Sequence, residues 1–184
     1  MKNLTLENIT QVCSGTYYGP AGKLQEEVSS IITDSRKADK GCLFVPIVGE
    51  RVDAHKFIPQ VMAAGALATL SERVLEQADF PYIVVESSLQ AVKDIAEFYL
   101  KQLEIPVVGI TGSVGKTSTR DMVYSVVKQK YKTLKTEGNY NNEIGLPLTI
   151  LRYQDEEVMV LEMGMNHLNE MSRLSMIAHP DVAC

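Results

Sequence analysis

The sequence predicts an α/β protein in two parts: a small N-terminal α/β domain, followed by the first part of a domain built on a parallel sheet. Short runs rich in valine, isoleucine and leucine alternate with segments of helical periodicity along its 184 residues. This alternation begins afresh near residue 105, after a long amphipathic segment. A glycine-rich turn then follows the first strand of the second part, as is common where a parallel strand leads into a helix.

The first part opens with a helix. Thr5 is a typical N-cap residue, Leu6, Ile9 and Val12 recur at helical spacing, and Gly15 provides a stop. By the same reasoning, helices are predicted at residues 5–14, 56–64 and 88–103, and strands at residues 28–32, 42–48, 66–70 and 82–85.

The second part continues the alternation. We place the boundary between residues 85 and 105, which gives domains 1–100 and 101–184. Strands are predicted near residues 106–110, 132–135 and 157–163, and helices at residues 115–129, 148–151 and 168–178. Residues 181–184 resemble the start of another buried strand, with nothing after it to complete it, so we expect a truncated chain.

Composition narrows the possible functions. A net charge of −5 and a pI near 5.3 disfavour a general nucleic-acid binder, which usually has a basic face. Cys13, Cys42 and Cys184 are too scattered for a zinc site or a disulfide framework. No apolar run approaches the length of a membrane span, and the N-terminus lacks the apolar core of a secretory signal. We therefore expect a cytoplasmic protein with no nucleic-acid partner and no membrane insertion.

The most informative segment is the glycine-rich turn at residues 109–118, called the phosphate loop below. Its glycines permit a tight turn whose N–H groups point at phosphate oxygens, and the positive end of the following helix also attracts an anion. Lys116 is then placed to reach the β- and γ-phosphates of a nucleoside triphosphate, and Thr117 to hold Mg²⁺. The alternative is an ordinary turn between a strand and a helix.

The glycine spacing departs from the common phosphate-binding pattern. G-x-x-x-x-G-K-[ST] requires a glycine five positions before Gly115, where this chain has Ile110, and Gly109 comes one position too early. The chain instead reads G-x-x-G-x-x-G-K-T-S. It keeps Gly-Lys-Thr at the helix start and redistributes the earlier glycines.

Two further segments are predicted to lie beside the phosphate loop. Glu162 ends a buried strand, so a parallel sheet places its carboxylate on the same edge as Lys116 and Thr117, where it can hold magnesium or simply face water. Residues 136–147, called the Asn-rich segment, offer amide groups to a ligand, although asparagine and glycine also form loops for backbone reasons alone. The predicted nucleotide-binding residues are Thr111, Gly112, Ser113, Val114, Gly115, Lys116, Thr117, Ser118, Asn139 and Asn142.

The first part carries a second group of candidates in loops at strand ends. Arg36 and Arg51 can bind a diphosphate through paired hydrogen bonds, and Ser35 can contact a base or a ribose. His55 lies in the same loop as Arg51. Solvated turns are the alternative interpretation of both loops.

Taken together, these motifs resemble the Mur ligase family, and within it the members that join D-alanyl-D-alanine to UDP-N-acetylmuramoyl-tripeptide. The displaced glycine fits this family. The matching segments are Thr-Gly-x-x-Gly-Lys-Thr at residues 111–117, Asn-x-Asn-Asn-x-x-Gly-x-Pro at residues 139–147, Glu-Met-Gly at residues 162–164, Asp-Ser-Arg at residues 34–36, Gly-Cys-Leu-Phe-Val-Pro at residues 41–46 and Gly-Glu-Arg-x-Asp-x-His at residues 49–55.

The resemblance implies an ATP-dependent ligase of peptidoglycan synthesis, and hence a role in cell wall biogenesis, cell shape and cell division. The N-terminal domain would bind the UDP substrate through Ser35, Arg36, Arg51 and His55. A P-loop ATPase domain would use ATP and Mg²⁺ to form an acyl phosphate, which the amine of D-alanyl-D-alanine attacks. Lys116 and Glu162 would be catalytic, Thr117 and Glu162 would hold the metal, and the full-length protein would be a monomer.

The resemblance also implies missing parts. In relatives, a histidine and a carbamylated lysine of the metal sites, and a third domain, follow the segment matching residues 180–184, so we expect residues 1–184 to be inactive alone. Three alternatives stay open. These are a non-catalytic module that binds UDP substrate or nucleotide, the related ligase that adds the third amino acid, and a folylpolyglutamate-synthase-like ligase.

Overall fold

The computed structural model describes residues 1–49, 52–165 and 167–184 and divides into two compact units, Met1–Ile95 and Ala96–Cys184. The division falls within helix α3 (Ser88–Leu103). Both units are mixed α/β structures with parallel strand pairs, so the predicted fold class is confirmed. No helix in the described part of the chain is long and apolar enough to cross a membrane.

The first unit is built on a five-stranded sheet with the strand order β1-β5-β4-β3-β2. Its strands are β1 (Thr16–Tyr18), β2 (Ile31–Ile32), β3 (Leu43–Phe44), β4 (Ala68–Ser71) and β5 (Tyr82–Val84), and its helices are α1 (Leu6–Val12), α2 (Ile58–Ala63) and the first half of α3. Strands β2 to β5 pair in parallel, whereas β1 pairs antiparallel with β5. The observed strands β2 and β3 are shorter than the predicted ones.

Local sequence explains the start of this unit. The Thr5 hydroxyl accepts a hydrogen bond from the Asn8 N–H at 3.1 Å and so caps α1 as predicted. Gly15 then brings the chain against β5, because a Cβ there would lie 2.6 Å from Cγ2 of Ile83. The edge strand β1 was not predicted, since three residues are too few to show an alternating pattern.

The second unit is built on a four-stranded parallel sheet with the order β7-β8-β6-β9. Its elements are β6 (Val107–Ile110), α4 (Lys116–Val127), β7 (Thr133–Lys135), α5 (Gly145–Ile150), β8 (Val158–Glu162), α6 (Glu170–Ala178) and β9 (Val182–Ala183). Every residue of β8 is buried, as expected for a central strand with both faces covered. Because the strands are parallel, the segments that follow β6, β7 and β8 leave the same edge of the sheet.

Helix α5 begins three residues before the predicted start at residue 148. The side chain of Asn142 accepts hydrogen bonds from the N–H groups of Ile144 and Gly145, at 3.1 and 2.8 Å, and this ordered turn starts the helix. Pro147 lies in the first turn, where its missing N–H has no partner within the helix to lose. Pro147 is therefore tolerated inside the helix, which was predicted to begin only after this residue.

Candidate active site

The phosphate loop joins β6 to α4 at the carboxyl edge of the second sheet. Gly112 and Gly115 have φ values of +139° and +77°, which side chains other than glycine rarely adopt. Gly115 directly precedes the first residue of α4, Lys116, so the loop ends at the positive end of a twelve-residue helix. Val114 at the loop tip is 86% exposed. These features are compatible with the anion-binding turn predicted for this segment.

Lys116 lies folded over this turn. Its Nζ donates a hydrogen bond to the carbonyl oxygen of Gly112 at 2.9 Å. This contact is exposed, and a carbonyl is a weaker partner for an ammonium group than an anionic oxygen. An arriving phosphate can therefore replace it.

Glu162, the last residue of β8, faces the first turn of α4. Its side chain is only 2% exposed, and both carboxylate oxygens lie within hydrogen-bonding distance of the Thr117 hydroxyl, at 3.3 Å for Oε1 and 3.1 Å for Oε2. Asn141 donates from Nδ2 to Oε1 at 2.8 Å. The structure thus brings together the two residues predicted as metal ligands.

Arg120 is a buried member of this site that the sequence analysis missed. It is 4% exposed, and its Nη1 donates to Oε2 of Glu162 and to the Gly138 carbonyl oxygen, each at 3.1 Å. Its Nε and Nη2 donate to Oδ1 of Asp121 at 3.1 and 3.0 Å. Its spacing could have indicated its place in the site, because Arg120 comes three residues after Thr117 and residues with that spacing share one helix face.

Asp121 connects this arginine to strand β7. Lys135 donates from Nζ to Oδ1 of Asp121 at 2.8 Å. Hydrogen bonds from Lys135 and then from Arg120 lower the pKa of the Asp121 carboxyl group. The carboxylate is therefore ionised at neutral pH and holds both cations beside the sheet.

The Asn-rich segment packs closely against the end of β8. The carbonyl oxygen of Asn141 accepts a hydrogen bond from the Gly164 N–H at 2.8 Å, and a Cβ on Gly164 would lie 2.9 Å from Nδ2 of Asn141. Asn142 uses its side-chain oxygen to cap the turn before α5, while Asn139 lies exposed in the preceding turn. Asn141, whose amide belongs to the segment predicted to offer hydrogen bonds to a ligand, contacts Glu162 directly.

The first-unit candidates lie after β2 and after β3. Ser35 and Arg36 begin a short 3-10 helix that Asp34 caps. The Arg36 guanidinium donates two hydrogen bonds to the Asp34 carboxylate, at 2.9 and 2.7 Å. The contact with Arg36 lowers the pKa of Asp34 to about 2. The Arg36 side chain remains 85% exposed, so its outer face is open to a ligand.

His55 is buried, and the protein engages both of its ring nitrogens. Nδ1 lies 2.6 Å from Oδ1 of Asp53, and Nε2 accepts a hydrogen bond from the Glu72 N–H at 3.0 Å, so the ring proton belongs on Nδ1. A ligand that binds a ring nitrogen of His55 must displace one of these contacts. Arg51 lies outside the described residues.

The second unit offers oxygen donors of the type that magnesium prefers. A hydroxyl and a carboxylate, from Thr117 and Glu162, meet beside a turn suited to phosphate. Among the described residues, no group of three or more His, Cys, Asp and Glu side chains could hold a metal ion by itself. The donor set therefore fits a magnesium ion that is completed by phosphate oxygens and water.

Comparisons with known proteins show which sequences and structures this chain is similar to. A sequence model described as the Mur ligase middle domain matches residues 110–184. The UDP-N-acetylmuramoyl-tripeptide–D-alanyl-D-alanine ligase of Bacillus subtilis is 41% identical over 97% of this chain, which spans 40% of that protein.

Two solved structures are also similar. A crystal structure of MurF from Acinetobacter baumannii matches 97% of this chain and 39% of its own, with a TM-score of 0.88 at 35% identity. MurF ligase from Thermotoga maritima in complex with ADP matches 83% of this chain and 36% of its own, with a TM-score of 0.76 at 38% identity. The chain spans about 40% of the length of such relatives. The predicted resemblance to the Mur ligase family is thus confirmed: residues 110–184 match its middle domain, and nearly the whole chain is similar to part of these ligases.

Proposed function

We propose that this chain carries the UDP-substrate and nucleotide sites of an ATP-dependent amide ligase, which joins D-alanyl-D-alanine to UDP-N-acetylmuramoyl-tripeptide. The observation that carries the proposal is the approach of the Thr117 hydroxyl to the buried Glu162 carboxylate, directly beside the phosphate loop. The relatives named for this reaction are similar along nearly the whole chain, which supports the choice of substrates.

The phosphate loop would bind the triphosphate of ATP. Its N–H groups and the start of α4 attract the phosphates, and Lys116 would exchange the Gly112 carbonyl for a phosphate oxygen. Asn139 and Asn142 stand near the same edge as candidate contacts. One similar structure is described as a complex with ADP, which supports a nucleotide ligand.

Thr117 and Glu162 would hold Mg²⁺. When bound, the ion would neutralise charge on the phosphates during transfer. Within this chain, the oxygens of these two residues already lie within 3.3 Å of each other. Little rearrangement of the protein is therefore needed to form the site.

The proposed reaction has two steps. A carboxylate oxygen of the UDP substrate attacks the γ-phosphorus of ATP and releases ADP, which gives an acyl phosphate. The amine of D-alanyl-D-alanine then attacks the acyl carbon, inorganic phosphate leaves, and the amine loses a proton as the amide forms. Phosphoryl transfer depends mainly on positioning and charge stabilisation, which Lys116 and the loop N–H groups would supply.

The UDP substrate would bind the first unit. Ser35 and Arg36 follow β2, and His55 lies in the 3-10 helix after β3, so they belong to the carboxyl ends of adjacent parallel strands. Ligands commonly bind at such strand ends. The exposed Arg36 guanidinium would bind the diphosphate, and Arg51 would be a second contact.

Calorimetric titration of residues 1–184 tests the two sites separately. We expect Mg-ATP to bind, and Lys116→Ala to weaken that binding about 10-fold or more, as for the loss of a charged hydrogen bond. Lys130→Ala, at an exposed position after α4, is the control and should bind as the parent does. Binding of UDP-N-acetylmuramoyl-tripeptide without any binding of Mg-ATP would instead favour a non-catalytic module.

A coupled assay of ADP release with all three substrates tests turnover. We expect little or none from residues 1–184, because this chain spans about 40% of the ligases it matches. Rapid turnover by this chain alone would contradict that expectation.

A further inference from the structure

We propose that Arg120 is a positioning residue of the nucleotide site, which holds the Glu162 carboxylate and the Asn-rich segment in the arrangement that binds magnesium-nucleotide. This inference rests on the proposed function and assigns a role to a residue outside the loop motif. The basis is that one guanidinium nitrogen, Nη1, contacts both Glu162 and the Gly138 carbonyl oxygen.

The burial of Glu162 must be compensated by hydrogen-bonding partners. Its side chain is 2% exposed, and burying a carboxylate costs folding free energy unless it is paired and hydrogen-bonded. Its side-chain donors are Thr117, Asn141 and Arg120, and of these three only Arg120 carries charge. Arg120 is therefore the charged partner of the buried Glu162 side chain, at an Nη1 to Oε2 distance of 3.1 Å.

The contacts also fix the orientation of the carboxylate. Arg120 binds Oε2 from one side, and Asn141 binds Oε1 from another. With both oxygens held, the carboxylate cannot rotate freely about its terminal bond and stays directed at Thr117. Mutation of partners that orient a metal ligand in this way typically lowers metal affinity or activity by about 10- to 100-fold.

Arg120 further connects three elements of the site. It projects from the second turn of α4, contacts the end of β8 through Glu162, and contacts the turn after β7 through Gly138. Asp121 holds the remaining side of the guanidinium at Nε and Nη2. The planar fork of arginine suits this set of bonds, whereas a lysine ammonium could not make them all.

We expect substitution of Arg120 to weaken the contribution of Mg²⁺ to ADP binding. Metal-free ADP would still meet the loop N–H groups and Lys116, whereas the additional affinity that Mg²⁺ provides would depend on an oriented Glu162. The quantity to measure is the ratio of the ADP dissociation constant in EDTA to that in excess Mg²⁺, here called the metal-linked gain. Arg120→Met should reduce this gain about 10-fold or more, as for other partners of metal ligands, while changing metal-free ADP binding little.

The experiment is calorimetric titration of residues 1–184 with ADP, for the parent and for Arg120→Met, Arg120→Lys and Lys132→Met. Lys132 is the control, because its exposed ion pair with Asp155 lies in the same unit but outside the Asn-rich segment. We expect Lys132→Met to keep the full gain and Arg120→Lys to recover part of it. An undiminished gain in folded Arg120→Met, or an equal loss with and without metal, would overturn the proposal.

A double-variant cycle keeps the test decisive if Arg120→Met does not fold. Arg120→Met combined with Glu162→Gln removes both members of the buried pair and leaves no unpaired charge. If Arg120 acts through Glu162, the double variant and Glu162→Gln should have the same metal-linked gain. A further loss in the double variant would overturn the proposal. A parent chain that binds no nucleotide would refute the proposed function itself, and this inference with it.

Discussion

Gly145→Ala tests whether the Asn-rich segment packs against the start of α5 as tightly as the structure shows. A Cβ at residue 145 would lie 2.4 Å from the Cα of Tyr140, about 1 Å inside the 3.4 Å at which ordinary contact begins. The obstructing atom belongs to the backbone, so the turn must move. Gly145 itself is buried, which leaves the methyl group no route to solvent.

Overpacking of this kind lowers the free energy of unfolding by about 1–3 kcal/mol. The higher helix propensity of alanine compensates for little of this loss, because residue 145 is the first residue of the helix. We expect the free energy of unfolding to fall by about 2 kcal/mol. Urea unfolding followed by circular dichroism measures it. Gly22→Ala is the control, because no atom lies within 4 Å of its new Cβ. If the two variants differ by less than about 0.5 kcal/mol, the packing described for Gly145 is wrong.

Two further predictions concern titration and thiol reactivity. The depressed pKa of Asp34, about 2, means that its contact with Arg36 stabilises the fold above the ordinary carboxyl pKa and loses that contribution as the pH falls toward 2. Arg36→Ala should return the titration midpoint of Asp34 in NMR spectra toward the ordinary aspartate pKa of 3.8, and an unchanged midpoint would contradict the contact. Burial raises the pKa of Cys13 to about 12 and that of Cys42 in the same direction, so an aromatic disulfide reagent at neutral pH should modify exposed Cys184 first. Equal rates at all three thiols would refute this burial pattern.

The phosphate loop was predictable from sequence because its chemistry is local. Glycines at residues 112 and 115 permit the left-handed turn, and Lys116 and Thr117 come directly after it. The position of Glu162 followed from one further rule, that parallel strands end at the same edge of a sheet. The observed Thr117 to Glu162 contact agrees with that placement, while the metal role of the pair stays a prediction.

The helix face of Arg120 could be read from its spacing after Thr117, but its contacts were not predictable because its partners are distant in sequence. Gly138 and Glu162 lie 18 and 42 residues away, and only the folded sheet brings them to one guanidinium group. His55 shows a related limit. The family resemblance implied a ligand contact for His55, whereas the fold buries the ring between Asp53 and the Glu72 backbone. Its proposed part in binding the UDP substrate stays untested.

The nucleotide site can be observed residue by residue in a titration of the isotope-labelled 184-residue chain with Mg-ADP, followed at each backbone amide by NMR. We expect the largest chemical-shift changes at residues 112–118, with further changes at Asn141 and Glu162. We also expect Lys116→Ala to weaken the response. Shifts confined to the first unit, or a phosphate loop unaffected at saturating nucleotide, would contradict the claim that this loop and Glu162 form the nucleotide site.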